Sequence, residues 1–343
     1  MTLKKTIYIS VFAVVSITTF FIYHLHNEHI VNVPQDVIYR EDTVEIRVSS
    51  CPLKEGSLSV ESLFNKNTLS LWTQRQHGAA YHLLQNTAAL WRENESIEDF
   101  MIMGTIPPRM QSDNFFWEIM PFSQNRFNRI ELFKVVWHLI FNNFCLSKEE
   151  RRQIQQKYHR YLNFFGQPYQ PIPPETSCHA TDPFCRPEVI QSQILYSGKR
   201  MDILYNYAPI GVGDEKIHFL IIPKEHRRGF PEITLEEYLE SQEMTVNLLG
   251  YYEKKGFPVA YIFHKTGEYA GQTVPHWHLH IVFASSQIHE FLGKLQILVK
   301  QLIFSHPLSK DQLELLVNKY REQVKEAMQQ QHKVTLSKEI DLK

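Results

Sequence analysis

The sequence has no surplus of charge of either sign. Its 343 residues include 36 Lys and Arg against 37 Asp and Glu, which gives a formal net charge of −1. A protein held on nucleic acid by its overall charge needs a basic excess, so nucleic acid is not expected among the partners. Low-complexity composition is also missing, since 43% of the residues are hydrophobic and 21% are charged. These proportions are those of a globular protein and exclude disorder along the whole chain.

Cysteine is scarce, with Cys51, Cys145, Cys178 and Cys185 as the full set. Four cysteines are too few for a fold that depends mainly on disulfides. Cys145 lies in an apolar, helix-like run, and we expect it to be a buried small hydrophobic residue. The cysteine content by itself therefore indicates no function.

Long uncharged apolar runs are rare as well, which excludes a polytopic membrane protein. One such run, Thr6–Tyr23, has eighteen residues and reaches the lower limit for a helix that crosses a bilayer. Lys4 and Lys5 precede it, and no small-residue cleavage pattern follows it. We therefore predict an uncleaved membrane anchor within residues 1–27, with the N-terminus in the cytoplasm. A cleaved signal peptide and a buried core helix are the alternatives.

Four further segments are expected after the anchor, because 343 residues exceed what one core usually holds. Residues 28–165 carry helix-like apolar patterns and are predicted to form a mostly helical unit, to which the sequence assigns no role. Residues 166–183 are rich in proline and predict a linker. Residues 184–285 alternate between strand and helix patterns and predict an α+β unit, and residues 286–343 predict C-terminal helices.

The predicted strands of the α+β unit are short apolar runs bounded by turn residues. There are five of them: Ile194–Tyr196, Met201–Tyr205, Ile217–Pro223, Pro258–His264 and Pro275–Ala284. Capping boxes mark the starts of three predicted helices, at Ser147–Glu150, Thr234–Glu237 and Ser309–Gln312.

Histidine, in contrast to cysteine, is abundant, with 17 His in a chain that has 13 Gly. Three of them, His276, His278 and His280, alternate with apolar residues in the last predicted strand. Residues at this spacing point to one face of a strand, so the three imidazoles form a row. Adjacent imidazoles disfavour one another's protonation, and a neutral imidazole is a nucleophile near pH 7. A surface row, a metal site and a phosphate-handling site with a histidine nucleophile are the three interpretations.

The segment His276–Val282 resembles the signature of the histidine triad (HIT) superfamily, His-φ-His-φ-His-φ-φ, in which φ is apolar. The preceding Gly271–Val274 is similar to the family's Gly-Gln-Ser-Val, and His218–His226 is similar to its third strand, His-φ-φ-φ-φ-Pro-Lys-x-His. Pro183–Cys185 resembles the motif that opens the family's domain, and Tyr205–Pro209 lies where the family has Asp-x-x-Pro. The matches agree in order and spacing over about 110 of the 343 residues.

The resemblance implies both a fold and a chemistry. The fold is a five-stranded antiparallel sheet with helices over residues 184–285. The chemistry is attack of the middle histidine, here His278, on the α-phosphorus of a nucleotide, which gives a covalent nucleotidyl-histidine that water then cleaves. His276 is expected to orient this nucleophile and His280 to donate to the phosphate oxygens. The further candidates for substrate binding are His218, Thr273, Asn206, Lys265 and Gln272.

Three positions bear on the substrate. Asn206 replaces the family's ribose-binding acidic residue, so a charge-assisted hydrogen bond is lost. Lys265 falls where related hydrolases have an Asn, and its charge favours a more anionic substrate. The third histidine is His280, where relatives that transfer nucleotides to sugar phosphates have Gln, and this favours hydrolysis.

Some members of the family hold a structural zinc through an upstream Cys pair and histidines. Cys178, His179 and Cys185 are the candidate ligands here, and His226 is expected nearby in the fold. The usual Cys-x2-Cys spacing is missing, so the predicted site contains no metal and no other cofactor. Two free thiols beside the linker are the alternative.

We therefore expect a membrane-anchored hydrolase of nucleoside phosphoramidates or dinucleoside polyphosphates, or a nucleotidyl transferase. A catalytically silent nucleotide-binding or interaction module is the alternative, and Asn206 and Lys265 favour it. A metal-dependent hydrolase is a third option. The expected partners are the nucleotide and the membrane. Many relatives dimerise, but the extra N-terminal unit could cover the surface that they use, so the sequence leaves a homodimer open.

Overall fold

A computed structural model describes residues 36–340, apart from gaps at 67, 109–113, 124–127, 142–143, 168, 170, 174–177, 179–181, 211–215, 287–293 and 296–306. The anchor predicted at Thr6–Tyr23 and most of the helix predicted at 286–305 lie outside the described residues. Among the residues that are described, no helix combines the length and the apolar character needed to cross a membrane.

The described strands form one antiparallel sheet of ten strands, in place of the predicted sheet of five. In chain order they are β1 Val37–Glu41, β2 Val44–Val48, β3 Leu58–Lys66, β4 Asp99–Ile106, β5 Asn114–Phe122, β6 Ile194–Ser197, β7 Met201–Tyr205, β8 His218–Pro223, β9 Val259–Thr266 and β10 Leu279–Ala284.

Seven α-helices lie in the described part of the chain. They are α1 Gln74–Glu95, α2 Asn128–Phe141, α3 Lys148–His159, α4 Leu162–Phe165, α5 Pro187–Gln193, α6 Leu235–Lys254 and α7 Lys310–Ile340. Three short 3₁₀ helices, Leu69–Leu71, Pro183–Cys185 and Phe230–Glu232, complete the described elements. The three predicted capping positions Ser147, Thr234 and Ser309 all precede helices, and at each the serine or threonine oxygen accepts an N–H from the first turn.

The strand order is the same from both edges of the sheet. From one edge it is β1-β2-β3-β5-β4, and from the other it is β6-β7-β8-β10-β9. Each half places one long helix after its third strand, α1 after β3 and α6 after β8, and both helices begin at a capping box, with Thr73 and Thr234 as the N-caps. The sheet therefore consists of two halves of equal topology that meet where β4 pairs with β9.

The first half corrects the prediction of a mostly helical unit over 28–165, because five strands lie beside its helices. The missed strands β4 and β5 are covered on both faces. Ile102 and Trp117 belong to the same apolar cluster as α1, whereas Met101 and Met103 pack with Leu132 of α2. A strand that is buried on both faces has no alternation of apolar and polar residues, so its period of two does not show in the sequence.

The second half agrees with the prediction, since all five predicted strands of residues 184–285 are present. The last of them, β10, begins at Leu279 and not at Pro275. Pro275 has no N–H to donate, and the Trp277 N–H donates to the Arg227 carbonyl outside the sheet at 2.5 Å. The first two histidines of the row therefore lie on the segment that leads into the strand.

The four cysteines form two disulfides, Cys51–Cys145 and Cys178–Cys185, so no cysteine is free in the described chain. The interpretation of Cys145 as a small hydrophobic residue, and of Cys178 and Cys185 as free thiols, is therefore wrong. The partners Cys51 and Cys145 are 94 residues apart, and their proximity depends on tertiary structure that the sequence pattern does not contain.

The long-range disulfide is predicted to stabilise the fold more than the short-range one. Closing the 94-residue separation constrains the unfolded chain by about 4–5 kcal/mol, and closing the separation of 7 residues by about 2 kcal/mol. Urea unfolding of the double variant Cys51→Ser/Cys145→Ser should therefore show the larger loss. Cys178→Ser/Cys185→Ser is the matched control, and equal losses in the two variants would contradict this ranking.

Candidate active site

The predicted site residue His280 lies in the middle of the second half of the sheet. On β10 it stands between Leu220 of β8 and Phe263 of β9. Its neighbours Leu279 and Ile281 point to the opposite face and are buried in the main apolar cluster. The alternation expected from the sequence thus separates the imidazole from the core.

A chain of hydrogen bonds fixes the ring protons of two histidines. The Ile210 N–H donates to His218 Nδ1 at 3.0 Å, so the His218 proton is on Nε2. This Nε2–H donates to His280 Nδ1 at 3.0 Å, which places the His280 proton on Nε2. Burial, with the neighbouring His278, lowers the pKa of His280 well below 6.5, so the ring is neutral. The ring also stacks on Phe263, with 4.5 Å between the centroids.

His278 is held as the opposite tautomer. Its Nδ1–H donates to the backbone carbonyl of His276 at 2.7 Å, so the lone pair is on Nε2. Burial lowers the pKa of His278 to about 4, which keeps the imidazole neutral at pH 7. The side chain is 9% exposed, and it lines a cavity. A neutral, oriented imidazole with Nε2 unprotonated is the form that attacks an electrophile.

His276 acts on its neighbour through its backbone and not through its ring. The ring Nδ1 lies 2.9 Å from Asp182 Oδ2, and Nε2 lies 3.2 Å from the Pro223 carbonyl. Its side chain is almost fully buried. The expected orienting role is therefore carried by the His276 carbonyl, while the Asp182 carboxylate anchors the ring.

Asp182, Cys185, His226 and His276 place one potential metal-ligating atom each within 4.8 Å of one another. A carboxylate, a thiolate and two imidazoles are a donor set that zinc accepts. The Cys185 sulfur, however, is bonded to that of Cys178 and offers no thiolate. In this state the residues do not fit a four-ligand zinc site, and the Asp182 carboxylate lies instead 2.9 Å from His276 and 3.5 Å from His226.

One cavity of about 1120 Å³ brings together seven of the eight predicted site residues. They are Asn206, His218, Lys265, Gln272, Thr273, His278 and His280. The first half of the sheet contributes to the wall of the cavity through residues such as Leu132 and Asp99. Burial lowers the pKa of Lys265 from 10.5 to about 8, so its ammonium is still charged at neutral pH.

Two of the predicted substrate-binding side chains are engaged in holding loops. Gln272 accepts the Gly267 N–H at 2.8 Å through Oε1 and donates to the Arg228 carbonyl at 2.7 Å through Nε2. Asn206 accepts the Ala208 N–H at 3.0 Å, and its amide nitrogen lies 3.2 Å from both ring nitrogens of His218. Thr273 is exposed and lines the cavity.

Three contacts of the site were not found by sequence reasoning. They are the Asp182 carboxylate at His276, the Phe184 ring with its centroid 5.6 Å from that of His278, and the Phe263 ring stacked on His280. Asp182 directly precedes the recognised motif Pro183–Cys185, and its position next to proline is typical of a helix N-cap. That local signal indicates a cap, whereas the contact with His276, 94 residues away, exists only in the folded chain.

The first half of the sheet has no histidine at the corresponding positions. Met103 and Phe263 face each other on the ladder that joins the halves. In the first half Glu118 of β5 pairs with Met103, and in the second half His280 of β10 pairs with Phe263, so Glu118 corresponds to His280. Phe116, two residues before Glu118, therefore corresponds to His278. Glu118 is fully buried and accepts the Leu53 N–H at 2.6 Å. The described first half therefore repeats the topology without the histidine row.

Comparison with known proteins agrees with this architecture. The family model described as the HIT domain matches residues 188–286. Over 89% of this chain and 95% of the other, the fold is similar to that of a uridylyltransferase structure, with 13% identity and a TM-score of 0.51. This likeness shows the fold alone, and it extends over both halves of the sheet.

Two further solved structures are less similar. An ADP-glucose phosphorylase from Arabidopsis thaliana is 11% identical over 77% of this chain and 84% of that chain, with a TM-score of 0.48. A diadenosine triphosphate hydrolase from Plasmodium falciparum is 18% identical over 40% and 80%, with a TM-score of 0.28. The matched HIT domain coincides with the half that carries His218, His276, His278 and His280. The chain therefore contains a histidine triad (HIT) domain, and this domain lies in the second half of the sheet.

Proposed function

We propose that the protein is a nucleotide hydrolase or nucleotidyl transferase that uses His278 Nε2 as its nucleophile. The observation that supports this most strongly is the 2.7 Å hydrogen bond from His278 Nδ1 to the His276 carbonyl. It holds the proton on Nδ1 and leaves the Nε2 lone pair at the cavity. The low pKa of His278, about 4, keeps this form populated at neutral pH.

The reaction has two displacement steps at the same phosphorus. In the first, Nε2 bonds to the α-phosphorus while the bond to the leaving group breaks, and the leaving group takes the bonding electron pair. In the second, water attacks the phosphorus, the P–N bond breaks, and His278 returns to its neutral form as the water loses its proton. The His280 Nε2–H is the donor that the hydrogen-bond chain directs away from His218, toward the phosphate oxygens.

Lys265 makes an anionic substrate the better fit. Its ammonium lines the same cavity as His278 and His280, and a partly buried cation attracts negative charge more strongly than an exposed one. We therefore favour dinucleoside polyphosphates over nucleoside phosphoramidates, since only the former carry additional phosphates near the attacked one. The histidine at position 280 favours water as the acceptor, in keeping with the family resemblance.

Asn206 is the observation that favours a catalytically silent binding module. Both ends of its amide are used inside the protein, by Ala208 and by His218, so it offers less to a ribose than a free carboxylate does. Such a module binds nucleotides without forming a covalent intermediate. A measurement of turnover alone therefore distinguishes the binding module from the hydrolase.

Replacing the nucleophile should abolish turnover. His278→Ala is expected to lower the rate with diadenosine triphosphate by more than about a thousandfold, because the two-step route needs the Nε2 lone pair. Wild-type protein that is quenched with denaturant at alkaline pH, where the P–N bond is stable, should carry one nucleotidyl group on the peptide that contains His278, as measured by mass spectrometry. Full activity in the variant would contradict the proposal.

The matched control for this substitution is His159→Ala, which removes an exposed imidazole on α3. This variant should retain the wild-type rate. If wild-type protein binds the nucleotide in calorimetry but neither turns it over nor becomes labelled, the silent binding module replaces the hydrolase as the function.

The pH dependence of kcat/KM should have an alkaline limb that belongs to Lys265. The lysine is charged below its pKa of about 8 and neutral above it, so activity on an anionic substrate should fall above pH 8. His278, with its pKa of about 4, is neutral throughout this range and does not contribute to the limb. Lys265→Arg, which stays charged, should extend the plateau, and an unchanged limb in Lys265→Met would refute the assignment.

We also propose that Thr6–Tyr23 anchors the protein in a membrane, with the N-terminus in the cytoplasm and the HIT domain on the other side. The uncharged apolar run that follows Lys4 and Lys5 in the sequence supports this proposal. The two disulfides support it, because disulfides persist mainly in oxidising compartments outside the cytoplasm.

Carbonate extraction checks the anchor. The full-length protein should stay in the membrane pellet at high pH, whereas a variant with three lysines in the run, Phe12→Lys, Val15→Lys and Phe20→Lys, should be released. Release of the unmodified protein would disprove the anchor. In sealed vesicles, protection of the peptides that contain Cys178 and Cys185 from added protease shows on which side of the membrane the HIT domain lies.

A further inference from the structure

The first nine residues of the connection between β9 and β10, residues 267–275, form one side of the cavity and are here named the cavity loop. Gly267, Glu268 and the five residues from Gly271 to Pro275 all line the cavity. The loop is folded on itself, because the Gly271 N–H donates to the Glu268 carbonyl at 2.8 Å and the Gln272 N–H donates to the Gly267 carbonyl at 3.1 Å. It leads directly into His276 and His278.

The anchor of the cavity loop is a carboxylate from the other half of the sheet. Asp99 is the first residue of β4, and its Oδ2 accepts the Tyr269 N–H at 2.5 Å, with the Ala270 N–H as a second backbone donor. The side chain is 8% exposed. Burial raises the pKa of Asp99, and the two backbone N–H groups oppose this shift by favouring the ionised form.

The fit between Asp99 and the loop is close. Gly267 has a φ of +86°, and a Cβ at this position would collide with the Asp99 carboxyl group. Only glycine adopts this backbone conformation readily and leaves room for the carboxylate. Asp99 in the first half and Gly267 in the second half are therefore matched to each other, because the carboxylate occupies the space that a side chain at position 267 would need.

The same loop sets the surroundings of the Lys265 ammonium. Gly271 has a φ of +83°, and a Cβ there would lie 3.2 Å from Lys265 Nζ and 2.8 Å from the Leu132 side chain. The loop backbone thus passes close to the cation that lines the cavity beside His278. A shift of the cavity loop therefore changes the positions of Gly271 and Thr273 and, at the same time, the space around the Lys265 ammonium.

We propose that Asp99 is a positioning residue that fixes the cavity loop so that the loop faces one particular non-bridging oxygen of the α-phosphate. The first half of the sheet, which lacks the histidine row, would contribute to catalysis through this carboxylate. The inference rests on the proposed function, since it assumes that the α-phosphate lies beside His278. The two non-bridging oxygens are not equivalent in a chiral site, so replacing either one by sulfur reports the orientation of the loop.

The first experiment measures the loop without substrate. Hydrogen exchange of the Tyr269 and Ala270 amides should be at least about tenfold faster in Asp99→Asn, because the variant loses the charged acceptor. Glu98→Gln is the matched control, since it removes the neighbouring, exposed carboxylate and should leave the exchange unchanged. Unchanged exchange in Asp99→Asn would overturn the inference.

The second experiment measures orientation at the phosphorus. The probes are the Rp,Rp and Sp,Sp diastereomers of diadenosine triphosphate with one sulfur on each α-phosphorus, so that either end of the symmetric substrate presents the same configuration to His278. The ratio of their kcat/KM values should move toward unity by about tenfold in Asp99→Asn and stay at the wild-type value in Glu98→Gln. A loss of stability lowers both rates without changing their ratio, so an unchanged ratio in a variant with faster loop exchange would refute the positioning role.

A second variant approaches the contact from the loop. Gly267→Ala places a methyl group against the Asp99 carboxylate and should also move the kcat/KM ratio of the two diastereomers toward unity. This variant keeps the test decisive if Asp99→Asn fails to fold. If wild-type protein does not turn over unmodified diadenosine triphosphate, the proposed function fails for this substrate. The ratio of the two dissociation constants, measured by calorimetry, then takes the place of the kinetic ratio. A binding ratio that is the same in wild type and Asp99→Asn would refute the positioning role.

Discussion

The pairing of β4 with β9 is the interaction on which the rest of the structure depends. Seven residue pairs, from Phe100–Thr266 to Ile106–Ala260, join two half-sheets of equal topology into one sheet of ten strands. The ladder satisfies the backbone groups of two strands that would otherwise be exposed edges. It also brings Asp99 of the first half to the loop of the second, and it places α2 beside the cavity. The histidine site thus lies within reach of residues far away in the chain.

Within that frame, the chemistry depends on proton positions that neighbouring backbone groups impose. The Ile210 N–H selects the tautomer of His218, which selects that of His280, while the His276 carbonyl selects the opposite tautomer for His278. Burial keeps His278 and His280 neutral. One imidazole is consequently a nucleophile and the other a donor, although the two are the same residue type two positions apart.

The repeated topology also explains why the two halves of the sheet have different roles. Glu118 stands where the other half has His280, and it accepts a backbone N–H inside the protein. Met101 and Met103 pack against α2 on the face that remains a cavity in the second half. The first half therefore fills its own face with a helix and serves as a wall and an anchor for the other.

The sequence by itself determined the five strands of the second half, the capped helices and the histidine row, because period-two alternation and capping boxes are local patterns. The resemblance of its motifs to a known family indicated the HIT domain. The sequence by itself missed β4 and β5, since strands buried on both faces do not alternate, and it missed the disulfide between Cys51 and Cys145. Only the tertiary structure decided that Asp182 anchors His276, that Gln272 and Asn206 brace loops, and that Asp99 reaches the cavity loop. The physical reason is that the contacts of Gln272 with Arg228, of Asp182 with His276 and of Asp99 with Tyr269 join segments far apart in the chain, which meet only when the whole sheet has formed.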